Sequence, residues 1–274
     1  MKRSVPIVCF GLTLLWSVAA SGGETLDRIN KQRVLVGAVD PSYPPFSFLN
    51  DKNQMDGFDI DIAKAVAARL GVKLRIETPS WEVVTAGHWR GRWDVCICSM
   101  TPDKQKAQVL DFVVAYYSSP AVLVTTAQNA ALTTAPDISG KRIGVEQGSS
   151  YERFLQKDLL IPTPDGKPLT YFFDKVRIAP YGNEDLAFQD LSLGAGKRID
   201  AVLSNYGTAK LRLDKMPGKF KIVGDPLYNE PNWVAVDKGD TEWKVLLGQI
   251  IGEFRKDGTL SRLSNKWLGK DITQ

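Results

Sequence analysis

The sequence predicts an α/β protein built as two lobes, and three observations carry that expectation. Short apolar runs bounded by polar punctuation alternate with amphipathic helical patterns closed by glycine, which implies parallel-rich sheets with helices packed on them. The chain of 274 residues is long enough for two domains, each with its own core. The alternation also starts afresh. Past Phe112 the extended stretch Tyr116–Thr126 should cross into a second lobe, and a new strand–helix pattern begins at Lys141.

The first residues read as a processing segment. Lys2 and Arg3 form a charged start, Val5 to Val18 is mostly apolar, and Ala19-Ala20-Ser21-Gly22-Gly23 supplies small residues for cleavage. The apolar run is short for a membrane span. Cys9 follows Val8 rather than a small residue, which argues against lipid attachment. Removal of residues 1–23 deletes two cations and no acids, so the mature chain is exported and close to neutral.

In chain order, Arg33 to Val39 reads as a strand, and the loop Asp40-Pro-Ser-Tyr-Pro-Pro-Phe46 follows. Its consecutive prolines stiffen it and hold Tyr43 and Phe46 in fixed directions. Gly57 to Gly71 is a helix closed by glycine, with Asp59 or Asp61 as caps near its start. Lys73 to Glu77 is a strand, and Trp81 opens a helix running to about Gly91.

The stretch Asp94–Phe112 carries the chemistry. Val95 to Cys98 is a buried strand ending in Ser99 and Thr101, two hydroxyls on one face of the extended chain. Pro102 and Asp103 then open a short helical pattern. A strand end, hydroxyls, free amides and a following cation, Lys104 or Lys106, together describe a carboxylate cradle. An ordinary strand-to-helix connection accounts for the same stretch.

The second half repeats the logic. Lys141 to Glu146 is a strand, and Gln147-Gly-Ser-Ser-Tyr151 turns into a helix over Glu152–Leu159, which makes a second anion-suited position. A simple serine cap explains one of its serines and leaves Gly148 and the other unaccounted for. Residues 161–175 look like an insertion or hairpin. Val176 to Ala179 is a strand, Glu184 to Leu193 a helix, and Ile199 to Leu203 a strand running into Ser204-Asn205. Asn229 to Val236 returns toward the first lobe. An amphipathic helix from about Thr241 and the segment Asp257–Gly269 close the chain.

Composition removes several function classes. The formal charge of +4 comes with no basic block interleaved with aromatics, so nucleic acid is a poor partner. His88 is the sole histidine, and no catalytic triad, zinc site or Cys–His pair can be assembled. Cys96 and Cys98 share a strand face, yet residues two apart in an extended chain rarely reach disulfide geometry. Buried reduced thiols are the expectation there, and no metal or cofactor is expected.

With these motifs in hand, the mature chain resembles the polar-amino-acid class of periplasmic solute-binding proteins, bacterial extracellular solute-binding proteins of family 3, the receptors of ABC importers. The resemblance rests on the Asp40–Phe46 loop, Gly57-Phe-Asp-Ile-Asp-Ile-Ala, and Ser99-Met-Thr with the later Leu-Asp-Phe112. It continues in Gly140-Lys-Arg-Ile-Gly-Val with Gln-Gly148, in Arg198-Ile-Asp-Ala, and in Asp257-Gly-Thr-Leu with Lys-Trp-Leu-Gly269. Each is weak by itself; six in order and spacing are strong.

The resemblance implies a type II periplasmic-binding-protein fold. Lobe 1 would comprise residues 24–119 with 233–274 and lobe 2 residues 120–232, joined by two hinge strands with the ligand between. A monomer in the periplasm that captures a small polar metabolite and delivers it to an inner-membrane permease is expected. By position, Tyr43 and Phe46 would wall the ligand and Trp81 would cover a face of it. Ser99, Thr101 and the Met100 backbone would receive its carboxylate or ammonium from lobe 1. Gly148, Ser149 and Ser150 would supply amides and hydroxyls from lobe 2.

Two positions depart from the family pattern. Where the family has an arginine that forks the α-carboxylate, counting back from Leu110-Asp-Phe places Lys106, a point charge without the planar fork. Where the family has an aspartate for the α-ammonium stands Asn205, which keeps hydrogen bonding and loses the charge. Asp40 or Asp103 is a candidate replacement for that anion; a different small metabolite, such as an organic acid or an opine-like conjugate, is the other outcome. Tyr43, Phe46, Trp81 and Trp233 could also box a cation. A dehydratase of the cyclohexadienyl type, sharing this fold, is the enzymatic alternative, with Glu146, Glu184 or Asp103 as its acid.

Overall fold

The computed structural model describes residues 23–161 and 167–274; all but the last residue of the expected processing segment, and part of the expected 161–175 insertion, lie outside the described residues. Helix α1 (Glu24–Gln32) leads into β1 (Val34–Ala38), and three short antiparallel strands follow, β2 (Ser42–Tyr43), β3 (Ser47–Leu49) and β4 (Met55–Asp56). Between β2 and β3 lies the predicted proline loop, whose Pro44–Pro45 bond is cis.

Helix α2 (Phe58–Leu70) buries Phe58, Ile62 and Val66, four residues apart on one face, and ends at Gly71 in the left-handed conformation. It begins at Gly57, where φ is 128° and a Cβ would collide with the Phe46 carbonyl. Only glycine allows the helix to start against the loop.

Strand β5 (Lys73–Glu77) lies parallel to β1, with Val34 opposite Lys73 and Ala38 opposite Glu77. Helix α3 (Trp81–Thr85) stops earlier than the sequence pattern suggests. Gly87, His88, Arg90 and Gly91 all take positive φ, which no helix tolerates, while Trp89 is buried and donates to the Val84 carbonyl at 2.8 Å. The buried indole holds this short connection in place.

Strand β6 (Cys96–Met100) joins β1 through the Gly37–Val95 bridge, and helix α4 (Lys106–Val109) leads into the long strand β7 (Leu110–Thr126). In the second half, β8 (Arg142–Glu146) leads to α5 (Ser150–Leu155), and β9 (Arg177–Tyr181) leads to α6 (Glu184–Ser192). Strand β10 (Ala201–Asn205) then runs into α7 (Tyr206–Lys215), a helix absent from the sequence expectation. The long strand β11 (Phe220–Asp237), α8 (Thr241–Lys256) and α9 (Thr259–Leu268) complete the chain.

β7 and β11 pair antiparallel from Phe220 opposite Thr126 to Asp237 opposite Leu110. Through the middle the pairing is residue for residue, from Tyr228–Ala121 to Asn232–Tyr117, and this stretch contains Pro120 and Pro231. One end of the ribbon binds β6; the other binds β10, which continues to β8 and β9. The buried clusters divide accordingly. Ile29 to Tyr117 pack with Val234 to Leu260, whereas Ala121 to Tyr228 pack among themselves. Two α/β lobes therefore share one ribbon, the type II arrangement.

The expectation of reduced thiols is overturned as well: Cys96 and Cys98 form a disulfide. The extended-strand argument fails because β6 is not extended there. Cys96 faces Ala235 and Met100 faces Trp233, so four steps along β6 match two along β11. This bulge brings the two Cα atoms to 5.2 Å, inside the usual disulfide span. Ser99 in the same bulge takes φ 56°, a left-handed conformation.

Candidate functional site

Between the lobes lies a pocket lined from lobe 1 by Asp40, Tyr43, Trp81, Cys98, Ser99, Thr101 and Lys106. From lobe 2 come Glu146, Ser149, Ser150 and Tyr151, and from the ribbon Glu230. The pocket leaves about 30 Å³ free, room for roughly one water-sized group.

The bulge of β6 turns Ser99 toward the pocket, and a buried network fixes its hydroxyl. Ser99 Oγ donates to Asp59 Oδ2 at 2.7 Å and accepts from Tyr117 at 2.7 Å, while its amide donates to Tyr116 Oη at 2.8 Å. Burial pushes the Asp59 carboxyl up to about 7, against the pull of its two hydroxyl partners.

Lys106 enters from the first turn of α4, buried, with its ammonium 2.6 Å from Asp103 Oδ2. Asp103 also receives the Gln105 and Lys106 amides through Oδ1, both at 2.9 Å. Burial pushes the Asp103 carboxyl up, and the adjacent ammonium and the amides outweigh it, leaving the group below its ordinary value. Lys104 is exposed, so the backward alignment from Phe112 picked the lysine that reaches the cleft.

Two carboxyls face the pocket with an oxygen that lacks a partner. Asp40 Oδ1 accepts from the Ser42 amide at 2.8 Å, and Oδ2 is buried and unpaired. Across the cleft, Glu146 Oε1 is also buried and unpaired. Burial first, and then the charge of Asp185, raises Asp40 to about 6 despite the Ser42 amide. Burial first, then Asp40 and Glu184, pushes Glu146 well above its ordinary value. Glu184 lies behind them on α6, raised by burial to about 7 although Arg212 stands 3.4 Å away.

Glu230 completes the wall. Its Oε1 accepts from Thr101 at 2.6 Å and from Ser150, and its Oε2 accepts from Tyr151 at 2.8 Å. Burial raises this carboxyl and the hydroxyls pull it back, with a net shift upward. Ser149 caps α5 and donates to the Glu146 carbonyl at 2.6 Å.

Eight of the residues singled out in the sequence thus meet in one pocket: Asp40, Tyr43, Trp81, Ser99, Thr101, Lys106, Ser149 and Ser150. Four do not line it. Phe46 is fully buried, stacked at 5.5 Å on Tyr43 and 5.0 Å on Tyr117, so it backs the wall instead of forming it. Met100, expected to offer its backbone, is absent from the lining, and its side chain sits in the core with Trp81 and Trp93. Gly148 borders the adjoining cleft mouth, where its amide donates to Glu152 at 2.7 Å. Asn205 is fully buried, accepting from Ser119 at 2.9 Å and from the Gly207 amide at 2.8 Å as the cap of α7. Trp233 is also absent from the lining.

Tyr151, Cys98 and Glu230 were not anticipated, and Glu146 only as a candidate acid. The available signal for Glu230 was the polar alternation Tyr228, Glu230, Asn232 in a strand crossing the cleft, all three buried on one face.

The model of the bacterial extracellular solute-binding proteins, family 3, matches residues 35–270. The L-cystine-binding protein TcyJ of Escherichia coli (strain K12) is 29% identical over 250 residues, covering 91% of this chain and 88% of that protein. The histidine-binding periplasmic protein of Salmonella typhimurium (strain LT2) is 26% identical, covering 95% and 97%. Among solved structures, an ancestral arginine-binding protein bound to arginine matches with TM-score 0.75 and 30% identity, over 86% of this chain and 98% of that one. An ancestral amino acid-binding protein, a precursor of cyclohexadienyl dehydratase, matches with TM-score 0.76 and 28% identity, over 89% and 99%. Each of these relatives is named as a binding protein. With a matching family model over most of its length, a two-lobe fold and a polar pocket between the lobes, the chain belongs to the bacterial extracellular solute-binding proteins, family 3.

Proposed function

We propose that this protein captures an amino acid carrying an additional cationic or donor-rich group and delivers it, as a monomer, to the permease of an ABC importer. The segment 1–23 directs export to the periplasm in this reading. The moving parts are residues 24–119 with 233–274, and residues 120–232. Their separate buried cores support that division.

The observation that carries the ligand class is the pair of unpaired carboxyl oxygens on lining residues of opposite lobes, Asp40 Oδ2 and Glu146 Oε1. A buried carboxylate oxygen without a donor is costly. A ligand cation placed between them satisfies both and draws the lobes together. Lys106 supplies the one cation of the lining and suits the ligand carboxylate, with Ser99 and Thr101 beside it. The relatives named for arginine, histidine and cystine bind amino acids with donor-rich side chains or two ammonium groups, in keeping with this reading.

Isothermal titration with the standard L-amino acids and L-cystine tests it. Arginine, lysine, ornithine, histidine or cystine should bind, and acidic and aliphatic amino acids should bind more weakly. Binding restricted to dicarboxylates or to uncharged solutes would sink the reading.

A further inference from the structure

We propose that Glu230 is the specificity-determining residue of this cleft. By accepting the hydroxyl protons of Thr101, Ser150 and Tyr151, it leaves the pocket hydroxyls able only to accept, so the site selects N–H donors. The proposal deepens the ligand reading above and rests on it for the choice of probe.

The argument is a count of protons. A serine or threonine hydroxyl has one proton and two lone pairs. Thr101 donates its proton to Glu230 Oε1 at 2.6 Å, Ser150 donates to the same oxygen, and Tyr151 donates to Oε2 at 2.8 Å. Tyr43 stands 3.0 Å from Tyr151 Oη, whose own proton is engaged, so Tyr43 donates into that oxygen. The remaining lining hydroxyls point the same way. Ser99 donates to Asp59 and Ser149 to the Glu146 carbonyl. What the lining hydroxyls offer a guest is then a ring of lone pairs, and the side-chain donors left in the lining are Lys106 and the buried, unpaired indole N–H of Trp81.

Glu230 sits where this effect reaches both halves of the site. It lies on the ribbon opposite Ser119, and its partners come from lobe 1 (Thr101) and lobe 2 (Ser150 and Tyr151). No ion pair to Glu230 occurs among the described residues, so its orientation is held by hydroxyls alone. An uncharged amide of the same shape would carry an NH2 group in place of one oxygen. One hydroxyl would have to turn, and its proton would face the ligand.

The test compares wild type, Glu230→Gln and Glu230→Asp by titration with L-lysine and with 6-amino-2-hydroxyhexanoate, in which a hydroxyl replaces the α-ammonium. Wild type should prefer L-lysine, and Glu230→Gln should lose about tenfold or more of that preference. Glu230→Asp, which keeps the charge, should retain most of it. Thermal melts confirm that each variant folds. An unchanged preference in folded Glu230→Gln overturns the proposal while leaving the ligand reading intact. If wild type binds neither probe, the ligand reading fails. The infrared difference spectrum of ligand-free wild type against Glu230→Gln then decides the matter. A carboxylate band at pH 7.5 supports Glu230 as the common acceptor, and a carboxylic-acid band overturns it.

Discussion

The hydroxyl of Tyr43 meets the hydroxyl of Tyr151 at 3.0 Å, and the two residues belong to opposite lobes. Both are buried. The contact bridges the closed cleft alongside the bonds from Gln147 to Glu82 and from Arg153 to Gln105, and the ribbon-borne Glu230 stands directly behind it through Tyr151.

Tyr43→Phe removes that bond without altering the ring. A neutral hydrogen bond of this kind contributes about 0.5–1.5 kcal/mol, so closure should weaken and ligand affinity fall by roughly two- to tenfold. Titration calorimetry reads the loss. An affinity at or above wild type would mean that the contact opposes binding.

Lys106→Met leaves Asp103 buried beside an apolar chain and removes the lining's cation. Affinity for L-lysine should fall by about 2–5 kcal/mol, whereas binding of cadaverine, which lacks the carboxylate, should suffer far less. Lys104→Met, at an exposed site, serves as the control and should bind as wild type. Equal losses for both ligands would remove Lys106 from carboxylate recognition.

The acids give a pH dependence with a definite sign. Asp40, raised to about 6, and Glu146, pushed well above its ordinary value by burial, both disfavour ionisation in the ligand-free fold. The stability Asp40 contributes is complete below the unfolded carboxylate range of about 4 and is lost as pH rises through 6, and that of Glu146 is lost in the same direction. A cationic ligand reverses the sign, since it binds the ionised forms. Its affinity should climb with pH, by up to about tenfold per unit below 6 for one coupled proton. Calorimetry in buffers of different ionisation enthalpy should register proton release at pH 6. Flat affinity from pH 5 to 8 would exclude Asp40 from the site.

Phe46→Ala should cost about 3–5 kcal/mol of stability, since it empties a fully buried stack between Tyr43 and Tyr117. Denaturant melts provide the measure. A loss confined to ligand affinity, with unchanged stability, would return Phe46 to the pocket wall.

Thiol titration of the denatured, unreduced protein should find Cys96 and Cys98 unreactive, in line with the disulfide. Reduction frees the bulge that turns Ser99 toward the cleft, and ligand affinity should drop. Full binding by the reduced protein would detach the bridge from the placement of Ser99.

Local patterns in the sequence located most of this architecture. The proline loop, the Gly57 helix start and the Ser99–Thr101 strand end are contiguous in the chain, and each carries its own backbone logic. Lys106 could be found because its distance from Phe112 is local too. Glu230 and Tyr151 could not, because their meaning depends on a ribbon that brings residues 101, 151 and 230 together. Asn205 misled for a related reason. Its position matched a family charge, yet here its side-chain oxygen is occupied by Ser119 and the start of α7. The bridge between Cys96 and Cys98 escaped because register slips between strands leave no mark on hydrophobic alternation.

The ribbon has a bearing on how the molecule would be used repeatedly. Its two strands stay matched from Tyr228–Ala121 to Asn232–Tyr117 across the junction, with Pro120 and Pro231 withholding two amides from the ladder there. Such a joint can flex where those amides are missing and keep the rest of its rungs. Cargo release then requires no segment to melt and none to be rebuilt, so successive rounds of loading can begin from the same resting shape.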